Sequence, residues 1–291
     1  IVIGIQIYVL RDYLIPYIGK AELKRLFKFS TPLIPASIAY LVLNFTDRIF
    51  IKDLNGSLGD VGVYDMGFKF SAVVSIIIAA FQSALAPIIY EKHSESDTPN
   101  ELGRIMRLFI GVGTFGILVL ACFSYETLYV FTQEEYFGAA ILMPLFYLSV
   151  LMTGLGMFSP GLHVKQRTEL IPIIVITSGL LNIGLNFWLI PKYNLFGAAL
   201  ATLISTAFNN FVLFFVSQRL YPINYNLQKT LLVFIVFLAC YTSGAYLDQF
   251  TNFGWFESIG VKILLSGIYL FFLFQIKFIS FDQIRKRLIR K

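Results

Sequence analysis

The sequence predicts an all-α fold, a polytopic membrane helix bundle, on three observations. Of its 291 residues 57% are apolar and 14% charged, with mean hydropathy +0.74, whereas a soluble domain averages about 45–50% apolar and about 25% charged. So few charges do not cover that much apolar surface in water, 30 Phe and 16 Tyr included. The apolar residues gather into segments near 30–51, 61–90, 106–131, 138–159, 169–190, 195–218, 229–247 and 256–279. Each is long enough to cross about 30 Å of hydrocarbon as a helix. Runs such as VVSIIIAAF and LLVFIVFLAC lack the apolar-polar alternation of a membrane β-barrel. The two cysteines, Cys122 and Cys240, lie inside apolar runs, which excludes a disulfide scaffold.

In chain order, 1–10 (IVIGIQIYVL) is too short to cross, and reads as the tail of a truncated span in the later part of a longer protein. Residues 11–29 form a linker in which Leu23, Leu26, Phe27 and Phe29 alternate with Lys20, Lys24, Arg25 and Lys28, the pattern of an amphipathic helix on a membrane surface. Ser30-Thr31-Pro32 then opens the first span as an N-cap with proline in the first turn. Residues 30–218 hold six spans, 229–280 two more, and 281–291 form a basic tail.

The loops sort by charge. With eight spans, all but five of the 23 Lys and Arg fall on one side, in 11–28, in alternate loops and in the tail. The exceptions are Arg48, Lys52, Lys69, Lys192 and Lys262, while the opposite loop at 132–137 carries Glu134 and Glu135. The positive-inside rule then puts the linker and the C-terminus in the cytoplasm of a multi-pass membrane protein. The net charge of +6 is thereby an orientation signal, and no nucleic-acid partner is expected.

Polar residues inside spans are costly and face a partner or a cavity. In the first span Ser37, Tyr40, Asn44, Asp47 and Arg48 recur at three- and four-residue intervals, one polar face. Asp47 and Arg48 serve either that face or the outer headgroups. In the second span Asp65 and Lys69 stand at i,i+4, either a self-satisfied pair or part of a cavity, followed by Gln82, Ser83 and Pro87. The fifth span places Ser178, Asn182 and Asn186 four residues apart, and the sixth carries Thr202, Ser205, Thr206, Asn209 and Asn210. Inter-helix bonding and cavity lining both fit these. Gly197, Ala201 and Ser205 make a small-residue face for close helix packing.

Enzyme signatures are missing. The only histidines, His93 and His163, lie far apart, and there is no P-loop, HExxH or Cys/His cluster. No catalytic residue, metal or cofactor is expected.

Two stretches carry a family likeness. FSTPLIPASIAYLVLNFTDRIFIKDLNGSLGDVGVYDMGFKF has a proline-bearing span ending in Asp-Arg, then G-x-Y and a basic residue. LNIGLNFWLIPKYNLFGAALATLIS has an asparagine-bearing span, Ile-Pro-Lys-Tyr and Gly-Ala-Ala-x-Ala-Thr. Both resemble the bacterial polysaccharide and O-antigen flippases of the multidrug/oligosaccharidyl-lipid/polysaccharide superfamily. The resemblance implies that 30–218 is the second six-helix lobe and 229–280 two additional C-terminal helices. It implies transport of undecaprenyl-diphosphate-linked oligosaccharide from the cytoplasmic to the outer leaflet for surface polysaccharide (lipopolysaccharide or exopolysaccharide) synthesis. The partners are then the lipid-linked oligosaccharide, membrane lipid, and a polysaccharide polymerase and chain-length regulator.

Under that resemblance Arg48 and Lys69 are the expected diphosphate partners, because a diphosphate in a protected cavity needs cations. Asn44, Gln82, Asn182 and Asn186 are the expected glycan partners, and Asp47 or Asp65 would couple transport to H⁺ or Na⁺. A multidrug or cation antiporter of the same superfamily is the alternative, disfavoured because each acid has a basic neighbour. A non-transporting membrane scaffold for polysaccharide assembly is the other, and it predicts polar faces buried helix to helix.

Overall fold

The computed structural model describes residues 19–31, 33–54, 57–250, 255–276 and 278, with the side chains of 25, 28, 29, 33, 35, 36, 38–44 and 247–250 not among them. The expectations for 1–10, 11–18 and 281–291, and for the side chains of Tyr40 and Asn44, lie outside the described residues.

The described residues are helical and contain no strand. They run α1 (Lys20–Ser30), α2 (Leu33–Leu54), α3 (Leu58–Lys92), α4 (Thr98–Cys122), α5 (Ser124–Phe131), α6 (Met143–Leu155), α7 (Gly161–Val164), α8 (Leu170–Leu220), α9 (Leu227–Phe250) and α10 (Trp255–Gln275), with 3₁₀ turns at Glu134–Ile141 and Gly156–Phe158. Six helical segments among them are long and apolar enough to cross a membrane by length and composition. The protein is a multi-pass membrane helix bundle.

Local chemistry sets the boundaries. Ser57 caps α3: its Oγ accepts from the Asp60 amide at 3.2 Å, and Asp60 accepts from the Ser57 amide at 2.6 Å. Two expected spans are broken. The segment read as 106–131 divides at Phe123 (φ −98°, ψ 19°), where α4 stops and the short α5 begins. The segment read as 138–159 opens as a 3₁₀ turn and becomes α-helix only at Met143, with Pro144 in the first turn, where a missing N–H costs nothing.

The segments at 169–190 and 195–218 are two helical arms, together labelled α8, joined by a sharp break at Asn194. Asn194 breaks the helix with a positive φ of 49° (ψ −131°), a backbone that L side chains rarely adopt. Beyond it the arms run antiparallel, since Ser178 meets Asn209 at 3.3 Å and Asn182 meets Ser205 at 3.2 Å. Gly197 is what lets them close: a Cβ there would collide with the Leu189 carbonyl. Nearby Ala198, Ala199 and Ala201 are fully buried.

Two apolar clusters hold the bundle. The larger joins α3, α4 and α6 to the last two helices through residues such as Ile110, Leu118, Leu151, Phe237 and Tyr269. The Tyr269 hydroxyl donates to Thr114 Oγ1 at 2.8 Å across that junction. The smaller comprises Ile51, Tyr64, Leu142, Phe146, Ile190, Ala198 and Ala199. It surrounds the place where α2, α3 and α8 meet, and α2 makes its most extensive packing against α8. Only one side of α3 is covered: Tyr64, Gly67, Ser71, Val74, Ile78, Leu85 and Ile89 are buried, and Val73, Ile76 and Ile77 on the opposite side are exposed.

Candidate functional site

The site grows from a carboxylate at the end of a greasy helix. Asp47 on α2 is 2% exposed, in surroundings where an ionised group survives only if donors surround it. Three side chains from other elements do so. Asn186 Nδ2 donates to Oδ1 at 2.5 Å, and Oδ2 accepts from Thr202 Oγ1 at 2.6 Å and from the Tyr64 hydroxyl at 2.7 Å. Asn186 Nδ2 also donates to Asn182 Oδ1 at 3.1 Å, and Asn182 Nδ2 donates to Ser205 Oγ at 3.2 Å. The result is a buried polar ladder climbing the α8 hairpin from Asp47. One acceptor in it has no partner: Asn186 Oδ1 is buried and makes no hydrogen bond.

Beside this ladder the next residue of α2 makes the next bond to α3. Arg48 Nε donates to Asp65 Oδ1 at 2.6 Å, one step along from the Asp47–Tyr64 bond. The guanidinium also lies 5.3 Å from the Phe45 ring centre, 5.8 Å from Tyr64 and 5.1 Å from Phe68. These rings hold it as a planar cation with its charge against their faces. Arg48 and Asp65 keep 19% and 33% side-chain exposure, so the pair borders the open side of the bundle.

The pairing therefore differs from the one the chain order suggests. Asp65 bonds to Arg48 on the neighbouring helix, although Lys69 stands one turn away on its own, and Asp47 takes neutral donors. Hairpin register explains the difference: Asp47 and Arg48 each meet the residue 17 positions on, Tyr64 and Asp65.

The expected site residues divide into two groups. Asp47, Asn182 and Asn186 are brought together and sealed from solvent, with the two asparagines at 0% exposure. Lys69 and Gln82 are exposed on α3, but about 140° apart around the helix at about 100° per residue, so they do not share a face. Arg48 and Asp65 stand between the groups. The backbone of Asn44 lies in α2.

Two partners escaped the sequence reading. Tyr64 was legible only as the tyrosine of a G-x-Y triplet, and nothing local tied it to an aspartate in another helix. Lys262, on α10, is 4% exposed and bonds to Glu126 Oε1 at 2.6 Å. Its signal was its place, a cation seven residues inside the last apolar run. Among the described residues no group of His, Cys, Asp and Glu could hold a metal ion.

No protein-family model matches the chain, and no curated protein matches it. Its fold is similar to a solved structure of the lipid II flippase MurJ in an inward closed conformation, with TM-score 0.63 over 89% of this chain at 16% identity. The chain spans 57% of that protein's length. The similarity establishes a shared arrangement of helices.

Proposed function

We propose that this chain is the lobe of a flippase, a transporter and not an enzyme, that carries undecaprenyl-diphosphate-linked oligosaccharide from the cytoplasmic to the outer leaflet. The single observation that carries the reading is the fold it shares with a lipid II flippase across 89% of the chain. The membrane is the bacterial plasma membrane, the C-terminus is cytoplasmic, and the product feeds a surface-polysaccharide polymerase and chain-length regulator. The expected division of 30–218 as a six-helix lobe and 229–280 as two added helices belongs to this proposal.

In this reading Arg48 and Lys69 meet the diphosphate, and Gln82 and Asn44 meet the glycan. Arg48 retains side-chain exposure next to the open side of α3, and its planar fork suits phosphate oxygens. Asn182 and Asn186 serve the ion site instead of the glycan, because both are sealed and one bonds Asp47. Asp47 is a better coupling residue than Asp65. Its carboxylate faces three neutral donors, Tyr64, Thr202 and Asn186, and no paired cation, which leaves its charge to be balanced by H⁺ or Na⁺. Asp65 is already balanced by Arg48, which also disfavours a cation antiporter.

One observation favours a second reading, a membrane scaffold for polysaccharide assembly: the polar ladder is buried helix to helix. Export assays separate the two. With Lys69→Ala in the full-length protein, a transporter loses glycan export at normal membrane level. A scaffold keeps export and changes polymer length.

A further inference from the structure

The second arm of α8 carries a feature outside the Asp47 ladder. Ile204, Phe208, Phe211, Phe215 and Arg219 follow one another at steps of three and four residues, so they share one face of the helix. All five are exposed, while Ala201, Ser205 and Asn209 on the adjoining face are buried. The exposed stripe ends in an ordered stack. The Phe211 and Phe215 rings lie 6.5 Å apart between centres and 16° from parallel. The Arg219 guanidinium lies over the Phe215 ring, 4.4 Å from its centre. A ring face engages the flat side of a guanidinium, whose N–H donors lie along its edge and suit phosphate oxygens.

No described carboxylate pairs with Arg219. The two arms run antiparallel, with Ser178 opposite Asn209 and Asn182 opposite Ser205, which puts position 168 at the height of Arg219. The acid at that height on the first arm is Glu169, and its partner is Arg167, at 3.4 Å. In the charge-sorted topology Arg219 stands at the cytoplasmic membrane surface. From Arg219 back to Phe208 is 11 residues, about 16 Å at about 1.5 Å per residue, close to half of the roughly 30 Å of hydrocarbon. A cation at the headgroup level, with exposed rings beneath it over the depth of one leaflet, matches a lipid with a negative headgroup and an acyl chain.

We propose that this stripe binds an anionic phospholipid of the cytoplasmic leaflet, phosphatidylglycerol foremost, with its phosphate on Arg219 and one acyl chain along Phe215, Phe211 and Phe208. A zwitterionic lipid offers the same chain and phosphate but brings its own cation, which offsets the attraction to Arg219.

The test is native mass spectrometry of the purified full-length protein with phosphatidylglycerol and phosphatidylcholine of identical chains, and with glycerol 3-phosphate as a chain-free competitor. The wild type should retain phosphatidylglycerol about tenfold more strongly, the scale of one hydrogen bond to a charged group, and glycerol 3-phosphate should not displace it. Arg219→Gln should remove the preference, and Arg219→Lys should weaken it, since the charge stays while the planar edge is lost. Phe211→Ala with Phe215→Ala should lower retention of both lipids. Arg104→Gln removes one exposed charge from the same membrane surface and should leave the preference intact. All of these side chains lie outside the buried core, so the variants should fold. Equal retention of the two lipids by the wild type, an equal loss in Arg104→Gln and Arg219→Gln, or displacement by glycerol 3-phosphate overturns the proposal.

Discussion

Asn186 donates to Asp47 across 139 positions of sequence, at 2.5 Å, and in doing so ties the α8 hairpin to α2. The bond is buried, and the same amide nitrogen continues to Asn182. A contact of that kind fixes α2 against α8 at one atom, so disturbing it should be felt in both stability and transport.

Removing the carboxylate leaves three buried donors facing an apolar gap. Asp47→Ala should destabilise the protein by about 2–5 kcal/mol, from the donors stranded in the core and the cavity left behind. Asp47→Asn keeps the volume and should cost less. Thermal unfolding in detergent measures both, and equal losses would show that charge, not filling, sets the stability here.

The α8 turn depends on an absent side chain. Gly197→Ala should lower stability by about 1–3 kcal/mol, because the new Cβ meets the Leu189 backbone and a carbonyl cannot rotate away. Gly184 is the control, with nothing within 4 Å of its added Cβ. Gly184→Ala should be neutral or stabilising by up to about 1 kcal/mol, the helix-propensity difference. A loss at Gly184 equal to that at Gly197 would show that the arms are not packed as described.

Much of this was readable from sequence. The helical class and the close approach at Gly197 followed from apolar run length and small-residue spacing, which are local properties. The partners of Asp47 and Asp65 were not readable, because they depend on the register of hairpins. Chain order put Arg48 with Asp47 and Lys69 with Asp65, whereas the α2–α3 register gives Arg48 to Asp65 and leaves Asp47 to neutral donors. The break at Phe123 was missed for a related reason: both sides of it are equally apolar, so hydropathy runs straight through.

The Arg48–Asp65 pairing changes the double-mutant experiment. Arg48→Ala leaves Asp65 without its cation, and the loss of stability should be partly recovered in Arg48→Ala with Asp65→Ala. Asp47→Ala in the same background should give no such recovery. If the transport reading holds, glycan export stays abolished in the Arg48/Asp65 double variant even where stability returns, since the phosphate ligand is gone. Export restored with stability would make Arg48 structural.

Orientation has its own test. Single cysteines at Glu134 and Lys165, in a background lacking Cys122 and Cys240, should label from opposite faces of the membrane, Lys165 from the cytoplasm. Labelling of both from one face would contradict the charge-based topology.

The central claim is that a protein carrying this chain moves lipid-linked oligosaccharide across a bilayer through an ion held at Asp47. Its most direct measurement is reconstitution of the full-length protein in vesicles, following arrival of fluorescent undecaprenyl-diphosphate oligosaccharide at the opposite leaflet under an imposed Na⁺ or H⁺ gradient. The account predicts gradient-dependent translocation by the wild type and its loss in Asp47→Asn, with the variant folded and inserted. Wild-type vesicles that fail to translocate, or translocation by Asp47→Asn at the wild-type rate, would contradict it.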